Sequence, residues 1–367
     1  MSTASHKRII IAGGGTGGHI FPGLAIAGAL QRIQPATEIL FVGAEGKMEM
    51  QRVPEAGYNI VGLNIAGFNR SSLWKNLSLP FKLIMSFLKV RSVFRKFRPD
   101  AVVGVGGYSS FPVLRSAQSR GVPSFIHESN SLPGRSNLML GKKATRIFVA
   151  SDGMEKYFPK EKLVVSGNPV RSELTERADK DEAVRFFGLQ PGKKTVLVVG
   201  GSLGARSINE AIQAHLDTFI REEVQLIWQT GKTFNRDAGI QADETQGVWC
   251  QPFIGDMKMA YGAADVVIAR AGAMTIAELK VQHKASILVP YPFAAEDHQT
   301  VNASVLVAKR AAIIVKDSEV QEMLIPELLR LITDKSRIEE MEHNIGKEAV
   351  KDADTIIARE ILNSLKS

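Results

Sequence analysis

Short apolar runs rich in β-forming residues alternate with helical patterns along the chain, and this alternation appears twice. The first series of predicted strands covers residues 8–12, 39–42, 101–104, 124–127, 146–149 and 163–165. The second series follows a charged stretch at 172–181 and covers residues 195–199, 224–229, 248–251, 266–269, 286–289 and 312–315. Strands that alternate with helices form parallel sheets with helices on both faces. The sequence therefore predicts an α/β protein with two doubly wound halves.

The same pattern sets the expected domain boundaries. We predict an N-terminal domain over residues 1–170, a C-terminal domain over 171–345, and a final helical segment over 346–367 that packs back toward the N-terminal domain. The single cysteine is Cys250, so no intrachain disulfide can form, which fits a reducing compartment. No run reaches the roughly 20 apolar residues of a membrane span. We therefore expect a cytoplasmic protein.

Four glycine-rich turns each follow a predicted strand and precede a predicted helix, at residues 13–19, 104–110, 200–205 and 270–275. Glycine lets a backbone approach a ligand closely, and a helix N-terminus offers phosphate free N–H groups and a partial positive charge. A single turn of this kind can serve packing alone. Four of them, together with a net charge of +8, favour an anionic partner such as a phosphorylated substrate.

The first turn contains the dinucleotide-binding spacing Gly13-x-Gly15-x-x-Gly18. The acidic residue that should follow at the end of the next strand is misplaced, because Glu38 begins that strand and Glu45 comes late. We expect the helix to begin only at Pro22, a good first helical residue, which leaves His19 in the loop. His19 is therefore a candidate general base, and the alternative is a histidine that only hydrogen-bonds the loop.

Polar side chains follow several other predicted strands. In the fourth turn we expect a helix from Thr275 with Glu278 in its first turn, where the carboxylate could accept from ribose hydroxyls. The alternative is a capping box formed by the same two residues. Asn130 and Asn137 could bind sugar hydroxyls or simply stabilise a surface turn, and Gln299, in a predicted loop, could also bind a sugar.

Metal chemistry has little support in the sequence. Asp-x-Asp occurs at Asp179 and Asp181 and again at Asp352 and Asp354, but both pairs lie in charged helical stretches that we expect to be solvated surface. Neither a cysteine–histidine zinc spacing nor a Gly-x-x-x-x-Gly-Lys-Ser/Thr phosphate loop is present. We predict no metal and no other cofactor.

Residues 71–98 are basic and apolar and carry two apolar stripes on a helix. One stripe, containing Val90 and Phe94, should face the sheet. The second has cationic neighbours and is typical of a lipid-surface anchor, although a crossover helix covered by another element is the alternative. The expected membrane patch consists of Trp74, Phe81, Ile84, Met85, Leu88, Arg91 and Arg95. Nucleic acid is a weaker candidate, because no nucleic-acid motif accompanies the segment.

Taken together, six motifs resemble one bacterial family in order and spacing. They are residues 14–23 (GGTGGHIFPG), 106–108 (GGY), 127–130 (HESN), 167–171 (GNPVR), 200–205 (GGSLGA) and 270–275 (RAGAMT). The chain is similar to the MurG family, and the resemblance runs from about Lys7 to the C-terminal helix. It implies the GT-B architecture, in which two Rossmann-like domains face a cleft.

The resemblance also implies an activity and a location. Members of this family transfer N-acetylglucosamine from UDP-N-acetylglucosamine to the C4 hydroxyl of the muramoyl sugar in lipid I, with inversion, to give lipid II for peptidoglycan synthesis. They are peripheral proteins on the cytoplasmic face of the inner membrane. The expected partners are therefore UDP-N-acetylglucosamine, lipid I, an anionic membrane surface and possible cell-wall synthesis proteins, with no nucleic acid.

The resemblance assigns site residues position by position. Donor contacts fall on Thr16, Gly17, Gly18, Asn130, Arg171, Ser202, Ile254, Ala273, Met274, Thr275, Ile276, Ala277, Glu278 and Gln299. Acceptor-side contacts fall on Gly106, Tyr108, His127 and Asn137, and His19 is the expected catalytic base. The chain departs from many members at Ser129, Leu203 and Ala271, and the assignment of Gln299 assumes no gap over residues 291–297.

The expected reaction is an in-line displacement in which His19 removes the acceptor proton and UDP departs toward the helix start near Thr275. Four alternatives remain on sequence grounds. A GT-B-fold UDP-N-acetylglucosamine 2-epimerase would need no lipid acceptor, and another UDP-sugar transferase would use a different one. A non-catalytic nucleotide-binding or membrane-scaffold protein would bind UDP without turnover. A Rossmann dehydrogenase would bind a nicotinamide cofactor.

Overall fold

The computed structural model describes residues 6–66, 78–201, 203–234 and 246–366, without the side chain of Ala295. The chain divides into two compact units. Unit 1 comprises Met1–Val170 and Asp352–Ser367, and unit 2 comprises Arg171–Lys351. Each unit is built around one parallel sheet.

Unit 1 contains a seven-stranded sheet in the order β3-β2-β1-β4-β5-β6-β7. The strands are β1 Arg8–Gly13, β2 Glu38–Ala44, β3 Asn59–Leu63, β4 Ala101–Gly106, β5 Ser124–Glu128, β6 Arg146–Val149 and β7 Leu163–Val165. The helices of this unit are α1 Gly17–Ile33, α2 Glu49–Glu55, α3 Leu79–Phe97, α4 Ser110–Ser119 and α5 Arg135–Gly141, and the C-terminal α14 Ala353–Ser364. The strand order reverses between β1 and β4, the place where doubly wound sheets bind ligands.

Alternation of side chains across β1 produces two cores in unit 1, one on each face of the sheet. Ile9 and Ile11 are fully buried on one face, in a cluster that includes Ile357 and Ile361 of α14. Ile10 is fully buried on the other face, in a cluster that includes Val90 of α3. A strand buried on both faces must be apolar throughout, which is why the β1 sequence shows no polar alternation.

Unit 2 contains a six-stranded sheet in the order β10-β9-β8-β11-β12-β13. The strands are β8 Thr195–Val199, β9 Gln225–Gln229, β10 Val248–Gln251, β11 Val266–Ala269, β12 Ser286–Leu288 and β13 Ile313–Ile314. The helices are α6 Lys180–Phe186, α7 Arg206–Ala214, α8 Leu216–Arg221, α9 Met257–Ala263, α10 Ala273–Gln282, α11 His298–Ala308, α12 Val320–Thr333 and α13 Lys335–Gly346. Short 3₁₀ turns occupy Met154–Lys156 and Lys160–Lys162 in unit 1, and Ser172–Leu174, Ala295–Asp297 and Asp317–Glu319 in unit 2.

The predicted α/β class with two doubly wound parallel sheets is confirmed. Each of the twelve predicted strands is a strand, with ends shifted by a few residues at most, whereas β3 was not predicted. The expected helix starts at Pro22 and Thr275 are wrong. The first helix begins at Gly17, one turn earlier, and α10 begins at Ala273.

Helix α3 separates its two apolar stripes as predicted. Val90 and Phe94 are buried against the sheet, whereas the second stripe is exposed to solvent: Phe81 by 67%, Ile84 by 59%, Met85 by 46% and Leu88 by 56%. Arg91 and Arg95 are exposed as well. Trp74, the remaining member of the expected patch, lies outside the described residues. Within the described part of the chain, no helix is both long and apolar enough to cross a membrane.

Candidate active site

The turn after β1 places His19 in the first helical turn of α1. Thr16, in an extended conformation, is the N-cap residue of α1. The backbone N–H of His19 donates to the Thr16 carbonyl at 3.1 Å. The expectation that His19 lies in a loop is therefore wrong. Thr16 is exposed, and Gly17 and Gly18 form the first residues of the helix beside it.

Hydrogen bonds fix the ring of His19. Its Nδ1 lies 3.1 Å from the Gly14 carbonyl oxygen and 3.3 Å from Thr16 Oγ1. A carbonyl oxygen only accepts, so Nδ1 carries the proton of the neutral imidazole and Nε2 is the basic nitrogen.

Gly106, at the end of β4, forms the floor beneath this imidazole. A Cβ atom added at Gly106 would lie 2.6 Å from His19 Cδ2 and 2.8 Å from Nε2, and the residue has φ +97°. Any other residue would be strained and would displace the ring. The structure thus brings Gly106 and His19 together. Tyr108, two residues after Gly106, is 60% exposed.

His127, at the end of β5, is a buried imidazole with 1% of its surface exposed. Burial lowers the pKa of His127 to about 4, and His19 adds to that effect, while Asn168 and the Gly167 backbone oppose it. His127 is therefore neutral at neutral pH, in the same unit as His19.

Glu128 organises the loop that follows β5, a role that the sequence did not reveal. Its buried carboxylate accepts from the backbone N–H and the Nδ2 of Asn130, from Gly134 N–H, and from Asn137 Nδ2 at 2.8 Å. Asn168 Nδ2 donates to the Ser129 carbonyl at 2.9 Å and ties the 167–171 motif to the same loop. Asn130 and Asn137 are thus brought together by the Glu128 carboxylate that both contact. The position of Glu128 at the carboxyl end of a strand is the sequence signal that could have indicated this role.

In unit 2, Glu278 projects from the second turn of α10. Tyr261 of α9 donates its hydroxyl to Glu278 Oε2 at 3.0 Å, and Arg171 Nη2 lies 3.7 Å from Oε1. Burial raises the pKa of Glu278, and the Arg171 guanidinium and the Tyr261 hydroxyl oppose that rise. The N-cap residue of α10 is Gly272, so Thr275 lies inside the helix and is not its cap. The capping-box alternative is therefore wrong.

Gln229 connects two loops of unit 2 and was not predicted. It ends β9 and is 4% exposed. Its Oε1 accepts from the Ile254 backbone N–H at 3.0 Å, and its Nε2 donates to the Gly201 carbonyl at 3.2 Å. The predicted donor residue Ile254 is therefore placed next to the 200–205 turn. Ser202 lies outside the described residues.

Arg270 holds the 270–275 turn against its neighbours. Its guanidinium pairs with Asp317, donates to Ser207 Oγ at 3.1 Å, and donates to the Val289 and Pro290 carbonyls. Gln299 lies in the first turn of α11 rather than in a loop, and its Oε1 accepts from the Tyr291 backbone N–H at 2.9 Å. Both residues thus stabilise loops at the carboxyl ends of β11 and β12.

The two Asp-x-Asp pairs have different surroundings. Asp179 caps α6 by accepting from the Glu182 backbone N–H, and the Asp181 side chain is 58% exposed, as expected for helix surface. Asp354 departs from that expectation, because it is 16% exposed and pairs with Arg32 between α14 and α1. Among the described residues, no group of three or more histidine, cysteine or acidic side chains could hold a metal ion.

Two family models match successive parts of the chain. The glycosyltransferase family 28 N-terminal domain matches residues 9–149. The glycosyltransferase family 28 C-terminal domain matches residues 195–356. The matched regions contain all four glycine-rich turns.

Full-length relatives carry one shared name. A Bacteroides thetaiotaomicron protein is 52% identical over 361 residues, which are 97% of each chain. A Bacteroides fragilis protein is 51% identical over 97% of this chain and 95% of its own. Both are named UDP-N-acetylglucosamine–N-acetylmuramyl-(pentapeptide) pyrophosphoryl-undecaprenol N-acetylglucosamine transferase. The crystal structure of Acinetobacter baumannii MurG matches with a TM-score of 0.77 at 26% identity, over 97% of this chain and 99% of that one.

Proposed function

This chain belongs to the MurG family of N-acetylglucosamine transferases, and on that premise we propose how its own residues carry the reaction. It is a glycosyltransferase with the GT-B fold. It transfers N-acetylglucosamine from UDP-N-acetylglucosamine to the C4 hydroxyl of the muramoyl sugar in lipid I, inverts the anomeric centre and forms lipid II. The names of full-length relatives favour this activity over a 2-epimerase or another UDP-sugar transferase.

The observation that carries the proposed mechanism is the hydrogen bond from His19 Nδ1 to the Gly14 carbonyl. It leaves the basic lone pair on Nε2, the nitrogen that removes the proton from the acceptor C4 hydroxyl as its oxygen attacks C1 of the donor sugar. The sugar passes through an oxocarbenium-like state, and the bond between C1 and the diphosphate oxygen breaks. A positioned imidazole contributes about 100-fold or more to such a step.

We assign donor contacts in each unit separately. In unit 2, Glu278 accepts from the ribose hydroxyls, and Arg171 beside it favours the charged form of that carboxylate. The start of α10, residues 273–277, faces the diphosphate, whose growing negative charge is stabilised by the free N–H groups and partial positive charge there. The Ile254 N–H is engaged by Gln229, so its carbonyl is the group suited to accept from uracil N3–H. Ser202 and Gln299 complete the donor contacts of unit 2.

In unit 1, we assign Thr16, Gly17, Gly18 and Asn130 to the donor and Gly106, Tyr108, His127 and Asn137 to the acceptor side. Neutral His127 keeps the charge around His19 low, so that a proton arriving on His19 is not repelled by a second cation. We propose no metal or other cofactor, because the helix start performs the charge stabilisation.

The exposed stripe of α3 is the proposed membrane contact. Large apolar side chains with arginines beside them insert into the boundary of an anionic bilayer and are attracted by its surface charge. We propose that the protein acts at the cytoplasmic face of the inner membrane, next to its lipid acceptor and to other cell-wall synthesis proteins.

An assay of acceptor dependence tests the proposed activity. Labelled UDP-N-acetylglucosamine is incubated with the full-length protein, with and without a lipid I analogue. We expect label in the lipid fraction only when the analogue is present, in a β-1,4 linkage. Conversion of the sugar nucleotide without acceptor would identify an epimerase instead, and UDP binding without turnover would identify a non-catalytic protein.

A further inference from the structure

Glu49 is a buried carboxylate beneath the glycine-rich turn that holds His19, and neither the sequence nor the proposed mechanism uses it. It is the first residue of α2 and is 1% exposed. A carboxylate removed from water is costly unless hydrogen bonds compensate it. The backbone N–H of Ala44 donates to Oε1 at 2.9 Å, and Gly15 N–H donates to Oε1 at 3.1 Å and to Oε2 at 3.0 Å.

The turn is shaped around this carboxylate. A Cβ atom added at Gly14 would lie 2.1 Å from Glu49 Oε1, and Gly14 has φ +150°. Only glycine allows the acid to lie directly against the backbone at this position. The contact also explains why the turn is unsuited to a dinucleotide: its Gly15 N–H, a donor that a pyrophosphate would need, is already bound to an anion.

One peptide group connects Glu49 to the histidine. The Gly15 N–H that donates to the carboxylate and the Gly14 carbonyl that accepts from His19 Nδ1 belong to the same planar trans peptide. The N–H and C=O of a trans peptide point in opposite directions, so Glu49 binds on one side and His19 on the other. Hydrogen bonds in such a chain polarise one another, and the carboxylate makes the Gly14 oxygen a stronger acceptor for Nδ1–H.

We propose that Glu49 is a positioning residue for His19 and acts through the Gly14–Gly15 peptide. It holds the ring in the tautomer with basic Nε2 and stabilises the imidazolium formed when that nitrogen takes the acceptor proton. A carboxylate that contacts histidine directly performs this task in hydrolase triads, and here a backbone amide lies between the two groups. The inference rests on the proposed role of His19 as the base.

The test compares Glu49→Gln with the parent protein in the transfer assay. Glutamine keeps the size of the side chain, removes its charge and places an amide against backbone donors. We expect kcat to fall about tenfold and KM for UDP-N-acetylglucosamine to stay within about three-fold, because the chain serves proton transfer rather than binding. Glu55→Gln, at the exposed end of α2, is the matched control and should retain full activity.

Two further measurements separate positioning from a structural effect. In a His19→Ala background, Glu49→Gln should change kcat by less than about two-fold, because the group through which it acts is gone. The ¹⁵N shifts of the His19 ring, assigned from the spectrum of His19→Ala, should show the Nδ1–H tautomer in the parent and a mixture in Glu49→Gln. If Glu49→Gln does not fold, Glu49→Asp, which keeps the charge and shortens the reach, takes its place in the same comparisons.

Unchanged kcat in Glu49→Gln, an equal loss in both backgrounds, or an unchanged tautomer would overturn the inference. A His19→Ala variant that retains kcat would instead remove His19 as the base. The tautomer measurement needs no turnover, so it still decides in that case whether Glu49 controls the ring.

Discussion

Glu278 is the proposed donor residue whose removal should weaken UDP binding most. Removing a carboxylate that accepts from two ribose hydroxyls should weaken UDP binding about 10- to 100-fold, since hydrogen bonds to charged groups contribute roughly 1.5–3 kcal/mol. We expect this loss for Glu278→Ala, measured by calorimetric titration with UDP. Glu173→Ala is the matched control, because Glu173 also pairs with Arg171 but is about half exposed. Equal affinity of parent and Glu278→Ala would remove Glu278 from the donor site.

The lowered pKa of His127 predicts that the stability of unit 1 depends on pH. Its folded pKa of about 4 lies below the ordinary value of 6.5, so the unfolded chain binds more protons between these values. Stability therefore falls as the pH drops from 6.5 to 4, by up to about 3 kcal/mol from this group. The free energy of unfolding of His127→Gln should fall less than that of the parent over this range, as measured by urea unfolding at pH 7 and pH 4.5. Parallel losses in parent and variant would show that His127 is not the group that titrates.

At the level of single residues, candidate site residues could be proposed from the sequence, but the contacts among them could not. His19, Glu278 and Asn130 follow predicted strands, and chemistry at strand ends can be inferred from order alone. Glu49 and Gln229 were missed because each hydrogen-bonds backbone groups of loops distant in the sequence. Glu128 was missed because Asn130, Gly134 and Asn137 converge on its carboxylate only in the folded chain. A buried polar side chain leaves no periodic signal in a sequence.

Among the elements, buried strands were the easiest to predict. β1 and β8 are apolar at nearly every position because helices cover both faces of each sheet, and such runs are visible without a structure. β3 was missed because Asn59 is exposed, Ile60 is only half-buried and Gly62 interrupts the apolar pattern. The start of α1 was misplaced because Pro22 favours a first helical turn but is accommodated further inside, with Thr16 as the N-cap.

The exposed stripe of helix α3 gives a prediction about membrane binding. Ile84→Asp combined with Leu88→Asp places two charges in the exposed stripe and should abolish flotation with vesicles of phosphatidylglycerol and phosphatidylethanolamine. Ile220→Asp, at a similarly exposed apolar position of unit 2, is the matched control and should float like the parent. Flotation of the parent should also weaken at high salt, because arginines contribute through surface charge. If the double variant floats as well as the parent, the membrane contact lies elsewhere.

For the whole molecule, the repeat of one architecture explains why the fold class could be predicted and where a candidate site was to be sought. Both units present glycine-rich turns at the carboxyl ends of parallel strands, where backbone N–H groups and helix starts are available to an anionic ligand. The identity of the sugar and of its lipid acceptor could not be predicted from these physical rules. It followed from six motifs in one order and from full-length relatives of 51–52% identity.

Metal-independent proton transfer by His19 is tested by transfer of labelled N-acetylglucosamine from UDP to a lipid I analogue, with EDTA present, by the parent protein and by His19→Ala. We expect the parent to be fully active in EDTA and kcat of His19→Ala to be at least about 100-fold lower with UDP affinity retained. Loss of parent activity in EDTA, or a folded His19→Ala protein with undiminished kcat, would contradict this expectation.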